Sequence, residues 1–345
     1  MQRGEPDMQK PGREKLDTHK AVQLLFGGDV MLGRGVNDVI ARTSPTYPLE
    51  SLISIACAAD LFLVNLECAI SHRDIRYSGQ PKAFYFRADP IAAEVLTFAG
   101  VDLVSLANNH ALDADYSGLV DTLRILDERR ISHAGAGENI EAANRPALLE
   151  VKGLRLGVIA CSDHQQEFAA GVDRPGIRYV DLTDPKSING LIRDIETLAH
   201  QVDQVIVSLH WMPNWVSHVP LIYRNLARQM VEAGAGIIWG HSPHHFQGVE
   251  WIDRSVILYS TGDLIDDYAT DAHFRNDRQL LFLLAVSQNG VEAVNAYPIE
   301  LEFAHTHAAD SIVQPWIMHR LDQMCHEVGS RVEQQGEWLK IIPMK

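Results

Sequence analysis

Apolar residues along this chain fall into two alternating arrangements. Short unbroken runs occur at Leu24-Leu25-Phe26, Leu61-Phe62-Leu63-Val64, Leu103-Val104, Val205-Ile206-Val207 and Ile237-Ile238-Trp239. Runs of this kind mark strands buried on both faces. Between them, residues 48–59, 90–99, 115–130, 186–201 and 219–234 carry apolar positions at helical spacing. Asp89-Pro90 and Val219-Pro220 suit helix starts, because proline fits the first turn. Gly100, Gly234 and Gly236 stand where those helices should stop. Strand and helix in alternation predict an α/β class. Residues 247–260 and 278–301 then read as strand pairs, divided by turn signals at Asp253-Arg254 and Asn289-Gly290, so the sheet should be mixed. Residues 310–338 read as a closing amphipathic helix. Residues 1–20 are polar and charged and read as a flexible tail. The expected organisation is a tail over 1–20, one domain over 21–305 and a helical extension over 306–345.

The residues that follow the apolar runs carry the chemistry. Asp29 follows the first run and Glu67 the second. Asn108-Asn109-His110 follows the third, and His210 the fourth. The fifth leads into Gly240-His241-Ser242-Pro243-His244-His245, three histidines within five residues. The carboxyl ends of strands are where α/β folds place their sites, and histidine is the commonest metal ligand. Asp29, Glu67, Asn109, His110, His210, His241 and His244 should therefore converge on one sheet edge. Nitrogen and oxygen donors without cysteine suit one or two divalent ions, with Zn, Mn, Fe and Mg all compatible.

The ordered segments Gly28-Asp29-Val30-Met31, Val64-Asn65-Leu66-Glu67, Asn108-Asn109-His110-Ala111-Leu112-Asp113, Leu209-His210-Trp211, Gly240-His241-Ser242-Pro243-His244 and Tyr259-Ser260-Thr261-Gly262-Asp263 resemble the CapA/poly-γ-glutamate capsule-synthesis family. That family is a branch of the calcineurin-like metallophosphoesterase superfamily. The resemblance spans roughly residues 21–300 and implies a sandwich of two mixed β-sheets flanked by helices, with a two-metal centre at one edge. It assigns Asp29 and His244 to a first metal and Glu67 to a bridging position. Asn109, His210 and His241 go to a second metal, and His110 to the catalytic histidine. The chain departs from the broader superfamily at Met31, where a metal-binding histidine is usual, and at Glu67, where aspartate is usual. Ser242-Pro243 separates the last histidine pair by one residue more than is common. Within the CapA branch, Asn214 and Asp263 replace a frequent glutamate and asparagine.

Other residues are candidates by proximity in sequence. Asp113 reads either as the carboxylate that orients His110 or as a helix N-cap. Arg34 and Arg87 could clamp a carboxylate or phosphate, or lie on solvated faces. Trp211 is the favoured aromatic wall of a substrate site, with Trp215 read as packed. His245 is a second acid/base candidate or simply exposed. His164, His218 and His273 carry no assignment, and His218 with Asp266-Asp267 could line a rim.

Composition narrows the function. With 345 residues and 46% hydrophobic content the chain can bury a large core. A net charge of −15 argues against a nucleic-acid partner. An anionic substrate stays open, because bound ions would set the local field. Four scattered cysteines form no disulfide framework, and Cys57 and Cys161 read as small core residues. No signal peptide and no run of the ~18 apolar residues that span a bilayer is evident, so cytoplasm and no membrane insertion are expected. The favoured function is a metal-dependent hydrolase of an amide (γ-glutamyl or peptide-like) or phosphoester. Metal-assisted epimerisation at a peptide Cα and a non-catalytic accessory role in capsule or poly-γ-glutamate biosynthesis are the alternatives. The substrate is expected to be an anionic peptide-like, polyglutamyl or phosphorylated small molecule. Oligomeric state is left open.

Overall fold

The first apolar run forms the strand Val22–Val30, whose side chains divide between two cores by simple alternation. Leu24 and Phe26 point to one face and join Leu63, Leu103, Ile206, Ile237 and Trp239 in an apolar layer. Leu25 points to the other and packs with Val64, Val104, Leu96 and Leu119. The same division recurs in the second sheet, where Ile206 faces inward and Val207 outward. Burial of each such side chain contributes about 1.5–3 kcal/mol.

The computed structural model describes residues 21–344. The tail expected over 1–20 lies outside the described residues. A ten-stranded sheet is built around Val22–Val30, which runs parallel to Leu61–Leu66 and antiparallel to Arg278–Ser287. Beyond Leu61–Leu66 the parallel order continues through Leu103–Ser105 to Ser132–Ala134. A six-stranded sheet has a parallel centre of Leu154–Ser162, Gln204–His210, Ala235–His241 and Ser255–Leu258. Its edges, Ala147–Val151 and Val249–Ile252, are antiparallel. The sheets enclose the layer containing Phe26 and Trp239, and helices cover the outer faces. Pro185–Ala199 and Leu221–Glu232 pack on the smaller sheet, and Ala93–Ala99 and Asp115–Glu128 on the larger. This is the expected sandwich of two mixed sheets flanked by helices.

Gly100 (φ 74°) and Gly234 (φ 108°) end their helices in left-handed backbone, as expected. Residues 310–338 depart from the expectation. Only Gln314–Glu327 is helical, and the chain then returns as a hairpin, Ser330–Gln335 with Trp338–Pro343. Gly329 (φ 85°) stops the helix. Val332, Leu339 and Ile341 then recur at strand spacing and fill the inter-sheet layer. The hairpin pairs with Gly290–Glu302 and extends the large sheet. Cys57 is also corrected: it caps the short helix Ile53–Ala56 and faces solvent, whereas Cys68, Cys161 and Cys325 are buried. No helix among the described residues is long and apolar enough to cross a membrane.

Gly28 is dictated by close approach. A Cβ there would stand 1.9 Å from the carbonyl oxygen of Gly262, whose acceptor takes the Asp29 amide at 2.9 Å. Gly28→Ala must push these segments apart. We expect it to cost about 1–3 kcal/mol, read as a lower urea midpoint at unchanged slope. An unchanged midpoint would show that the two backbones separate freely.

Candidate metal centre

The two sheets contribute different donors to one edge. Asp29 lies in the penultimate position of its strand, and Glu67 directly follows Leu61–Leu66. Asp263 opens a short strand, Asp263–Ile265, that runs parallel to Val22–Val30 with Asp29 and Asp263 in register. These carboxylates belong to the large sheet. His210 and His241 end adjacent strands of the small sheet and are register partners. His244 follows on the loop, which holds Ser242 at φ 100°. A non-glycine residue held there costs about 1–3 kcal/mol, offset by the Ser242 amide donating to Asp29 Oδ2 (3.3 Å) and its hydroxyl donating to the Met212 carbonyl (3.2 Å).

Two overlapping groups of donors result. Asp29, His210 and His241 form one, and Asp29, Glu67, His244 and Asp263 the other, with one donor atom from each member of a group within 4.8 Å of the rest. Asp29 is the shared member. Glu67 also lies between the groups, its Oε1 3.8 Å from His210 Nε2. Imidazole contacts fix the rings: His241 Nε2 meets Ser208 Oγ at 2.8 Å, and His244 Nδ1 meets Asp263 Oδ1 at 3.0 Å. Asn109 stands on the neighbouring cavity wall, its side-chain oxygen buried and without a partner among the described residues.

Every member of the two groups is buried, and burial sets their protonation. It pushes Asp29 up to about 8, with Asp263 adding repulsion, and drives Glu67 and Asp263 well above the usual carboxylate range. Burial lowers His241 to about 3 and takes His210 and His244 below the usual imidazole value. Among the described residues, Glu67 Oε2 and Asp263 Oδ2 have no hydrogen-bond partner. Buried polar atoms left unpaired call for a ligand or ion, and carboxylates with neutral imidazoles are the donor set of Zn, Mn or Fe sites. The residues therefore fit a divalent centre.

His110 stands beside the cluster. Its Nε2 is 4.0 Å from Glu67 Oε1 and its Nδ1 is 2.5 Å from Asp113 Oδ2. Because a carboxylate accepts, Nδ1 carries the proton and Nε2 faces the cluster as a base. Burial lowers this imidazole to about 4 despite Asp113, so it is neutral near pH 7. Phe86 stacks on the ring at 3.8 Å between centroids. The helix Asp115–Glu128 has no side-chain cap, so Asp113 orients His110 rather than capping. A relay of amides links this group to the cluster. The His110 amide donates to Asn108 Oδ1 (3.0 Å), Asn108 Nδ2 to Asn65 Oδ1 (3.1 Å), and Asn65 Nδ2 to Asp29 Oδ1 (2.7 Å).

A cavity of about 580 Å³ opens over His110, Asn109 and His244, walled by Arg34, Phe84 and Trp215 among others. Arg34 pairs with Asp267 at 3.0 Å and lies over the rings of Phe84 and Phe86. Trp211 is corrected: it is 0% exposed, stacks on Tyr259 and donates to that residue's carbonyl at 2.9 Å. His210 faces the cluster, so its extended neighbour points into the small sheet's outer core, and the aromatic wall is Trp215 (44% exposed). Arg87 turns to the Ser71 carbonyl and Asp89 instead of the main cavity. His245 is buried, stacked on Phe274 at 4.8 Å, and outside both donor groups. His164 lies behind His210, hydrogen-bonded to its carbonyl, and His218 is on the surface with Glu327. Asp266 is buried near Asp263. Sequence reasoning did not count Asp263 among the ligands, although it follows a strand and a Ser-Thr-Gly turn much as Asp29 follows its glycines. Lys82, Asn65 and Asn108 were also missed.

A two-sheet sandwich with buried carboxylates and imidazoles gathered at one edge is a metallophosphoesterase-like fold. Residues 23–268 match the family described as bacterial capsule synthesis protein PGA_cap, and the chain belongs to that family. It is 29% identical to a probable polyglutamine synthesis accessory protein of Mycobacterium tuberculosis, over 93% of this chain and 96% of the relative. It is 27% identical to the PGA biosynthesis protein CapA of Bacillus subtilis, over 86% of this chain and 76% of the relative. A hypothetical protein from Thermus thermophilus superposes at a TM-score of 0.47 with 16% identity, covering 81% of this chain and 99% of that one.

Asp263→Asn should weaken divalent-ion binding by about 10–100-fold, measured by competition with a chromogenic chelator. Binding at full affinity would remove Asp263 from the donor set. The tryptophans should separate cleanly. Trp211→Ala should cost about 3–5 kcal/mol in chemical unfolding, and Trp215→Ala should leave the midpoint near that of the parent. Equal losses would contradict their different burial.

Proposed function

We propose that the protein is a divalent-metal-dependent hydrolase that cleaves an amide in an anionic, peptide-like substrate of the γ-glutamyl type. The observation that carries this reading is the His110–Asp113 pair, which presents an unprotonated Nε2 between the donor cluster and the cavity. Asp29, Glu67, Asp263, His210, His241 and His244 would hold one or two ions, with Asn109 at the margin. A divalent ion bound there lowers the pKa of water and polarises a carbonyl oxygen.

The chain's own groups supply the rest. Arg34, half-exposed on the cavity wall, seats a substrate carboxylate. His110 Nε2 accepts a proton from the attacking water and returns it to the departing amine. Asp113 holds the imidazole in the tautomer that allows this. Phe84, Phe86 and Trp215 narrow the space around the reacting bond. The names of the relatives, which refer to polyglutamine synthesis and PGA biosynthesis, support a polyglutamyl substrate class.

Two observations favour this reading over its competitors. Met31 is fully buried among Val30, Leu32 and other apolar residues, so the first motif supplies no imidazole. Asp263 brings a third carboxylate instead. Three carboxylates leave a single divalent ion with no net positive charge, which favours a neutral amide over a phosphomonoester dianion. Epimerisation through His245 finds no support in a ring stacked on Phe274 and outside both donor groups.

A screen of the metal-reconstituted protein over γ-glutamyl peptides and phosphomonoesters, run in deuterated water, tests the reading. Amide cleavage without deuterium at Cα is expected. Label at Cα without cleavage, or preferential turnover of phosphomonoesters, would replace it. His110→Ala should lower kcat by about 10²–10⁴-fold while metal content stays at the parent level. Loss of metal in that variant would make His110 a ligand.

A further inference from the structure

Lys82 belongs to the cavity wall beside His110 and is about one-tenth exposed (10%), with its ammonium turned onto the loop that carries His110. Its ammonium donates to the backbone carbonyl of Asn109 and to Asp113 Oδ1, and it lies 3.3 Å from His110 Nδ1. The Asp113 side chain is itself 0% exposed. Its second oxygen takes the Phe86 amide at 2.6 Å and His110 Nδ1 at 2.5 Å. Both oxygens are thus committed, and Lys82 supplies the only fixed cation among the described ion-pair partners of this carboxylate. A buried carboxylate oxygen left without its partner is costly, so the Lys82 contact bears directly on where the Asp113 carboxylate can sit.

Four residues downstream the same segment adds a second hold, for Phe86 both stacks on His110 and donates its amide to Asp113. The contact with the Asn109 carbonyl fixes the loop on which His110 is carried. We propose that Lys82 is a positioning residue: by pairing with Asp113 and anchoring the Asn109 carbonyl, it fixes the carboxylate that receives His110 Nδ1–H and so holds His110 in the Nδ1-protonated tautomer with Nε2 toward the cluster. The catalytic consequence rests on the hydrolase reading above, whereas the tautomer does not.

The experiment compares Lys82→Met and Lys82→Arg with the parent. The first readout is the downfield proton NMR resonance of His110 Nδ1–H in the metal-free protein, assigned by its absence from His110→Ala. The second is kcat and KM of the metal-loaded protein. Lys82→Met should lose or markedly shift the resonance and lower kcat by about 10–100-fold, with KM and metal content near the parent values. Lys82→Arg should recover most of both, since it restores charge and donors. Should Lys82→Met fail to fold, Lys82→Gln provides the neutral variant and should lose the resonance. An unshifted resonance in a folded neutral variant overturns the proposal, and so does a raised KM with unchanged kcat, which would make Lys82 a substrate contact. If the parent cleaves no amide, the resonance still decides the role of Lys82. If it cleaves amides and the resonance is indifferent to Lys82, only the positioning role falls.

Discussion

The cluster exists only because two separate sheets are held in one alignment, and Trp239 is where they are tied. Its indole N–H reaches across the inter-sheet layer to the carbonyl of Gly27 and the hydroxyl of Thr261, each at 3.2 Å. Gly27 lies two residues before Asp29, and Thr261 two before Asp263. Trp239 itself lies two before His241, whose ring it meets edge-on at 5.4 Å. One buried side chain therefore sets the distance between the strand that delivers an imidazole and the strands that deliver two carboxylates. Phe26 closes the other side of the indole in an edge contact at 5.4 Å. Any change in sheet separation would be felt at the donors before it was felt at the surface.

That alignment holds groups together against their own electrostatics. Asp29 and Asp263 sit in register on adjacent strands, where like charges repel, and burial raises both. The amide relay through Asn65 and Asn108 offsets part of this by donating to Asp29, and it stiffens the path from Asp29 to His110. The Ser242 backbone shows the same priority, local strain accepted where it brings donors together, and Gly28 permits the close backbone approach beside Asp29. Carboxylates pushed up and imidazoles pushed down in one pocket are jointly stabilised by a cation, which favours the ionised acids and neutral rings at once.

The strand-end donors were legible because each stands beside an unbroken apolar run, and a parallel sheet must bring such ends to one edge. Asp29, Glu67, His210 and His241 follow that rule. Asp263 follows it less visibly, through a three-residue strand whose pairing with Val22–Val30 no local pattern reveals. Lys82 was hidden for a different reason. It follows Gly79 and Pro81 in a loop, and its partner Asp113 is 31 residues away. The two tryptophans were exchanged because proximity to His210 says nothing about side-chain direction. Trp211 continues the strand and turns into the core, while Trp215 emerges from the loop. At the C-terminus, helical spacing through residue 327 concealed a hairpin whose alternation covers only a few residues.

The centre is built in two parts that differ in rigidity. Donors come from strand ends, or the residue next to them, locked by ladder hydrogen bonds and by Trp239, with His244 on the loop after His241. The cavity walls come from loops, at Pro81–Phe86, Asn214–Trp215 and Tyr268–Ala269. His110 belongs to both, since its amide is tied to the strand-borne relay and its ring is clasped by Phe86 and Lys82 from the wall. Loop residues can thus differ without moving the donors, whereas His110 cannot be separated from the wall that holds it. On the proposed hydrolase reading, the residues that hold His110 (Lys82 and Phe86) and the cavity-wall residue Phe84 sit within one short segment of the wall.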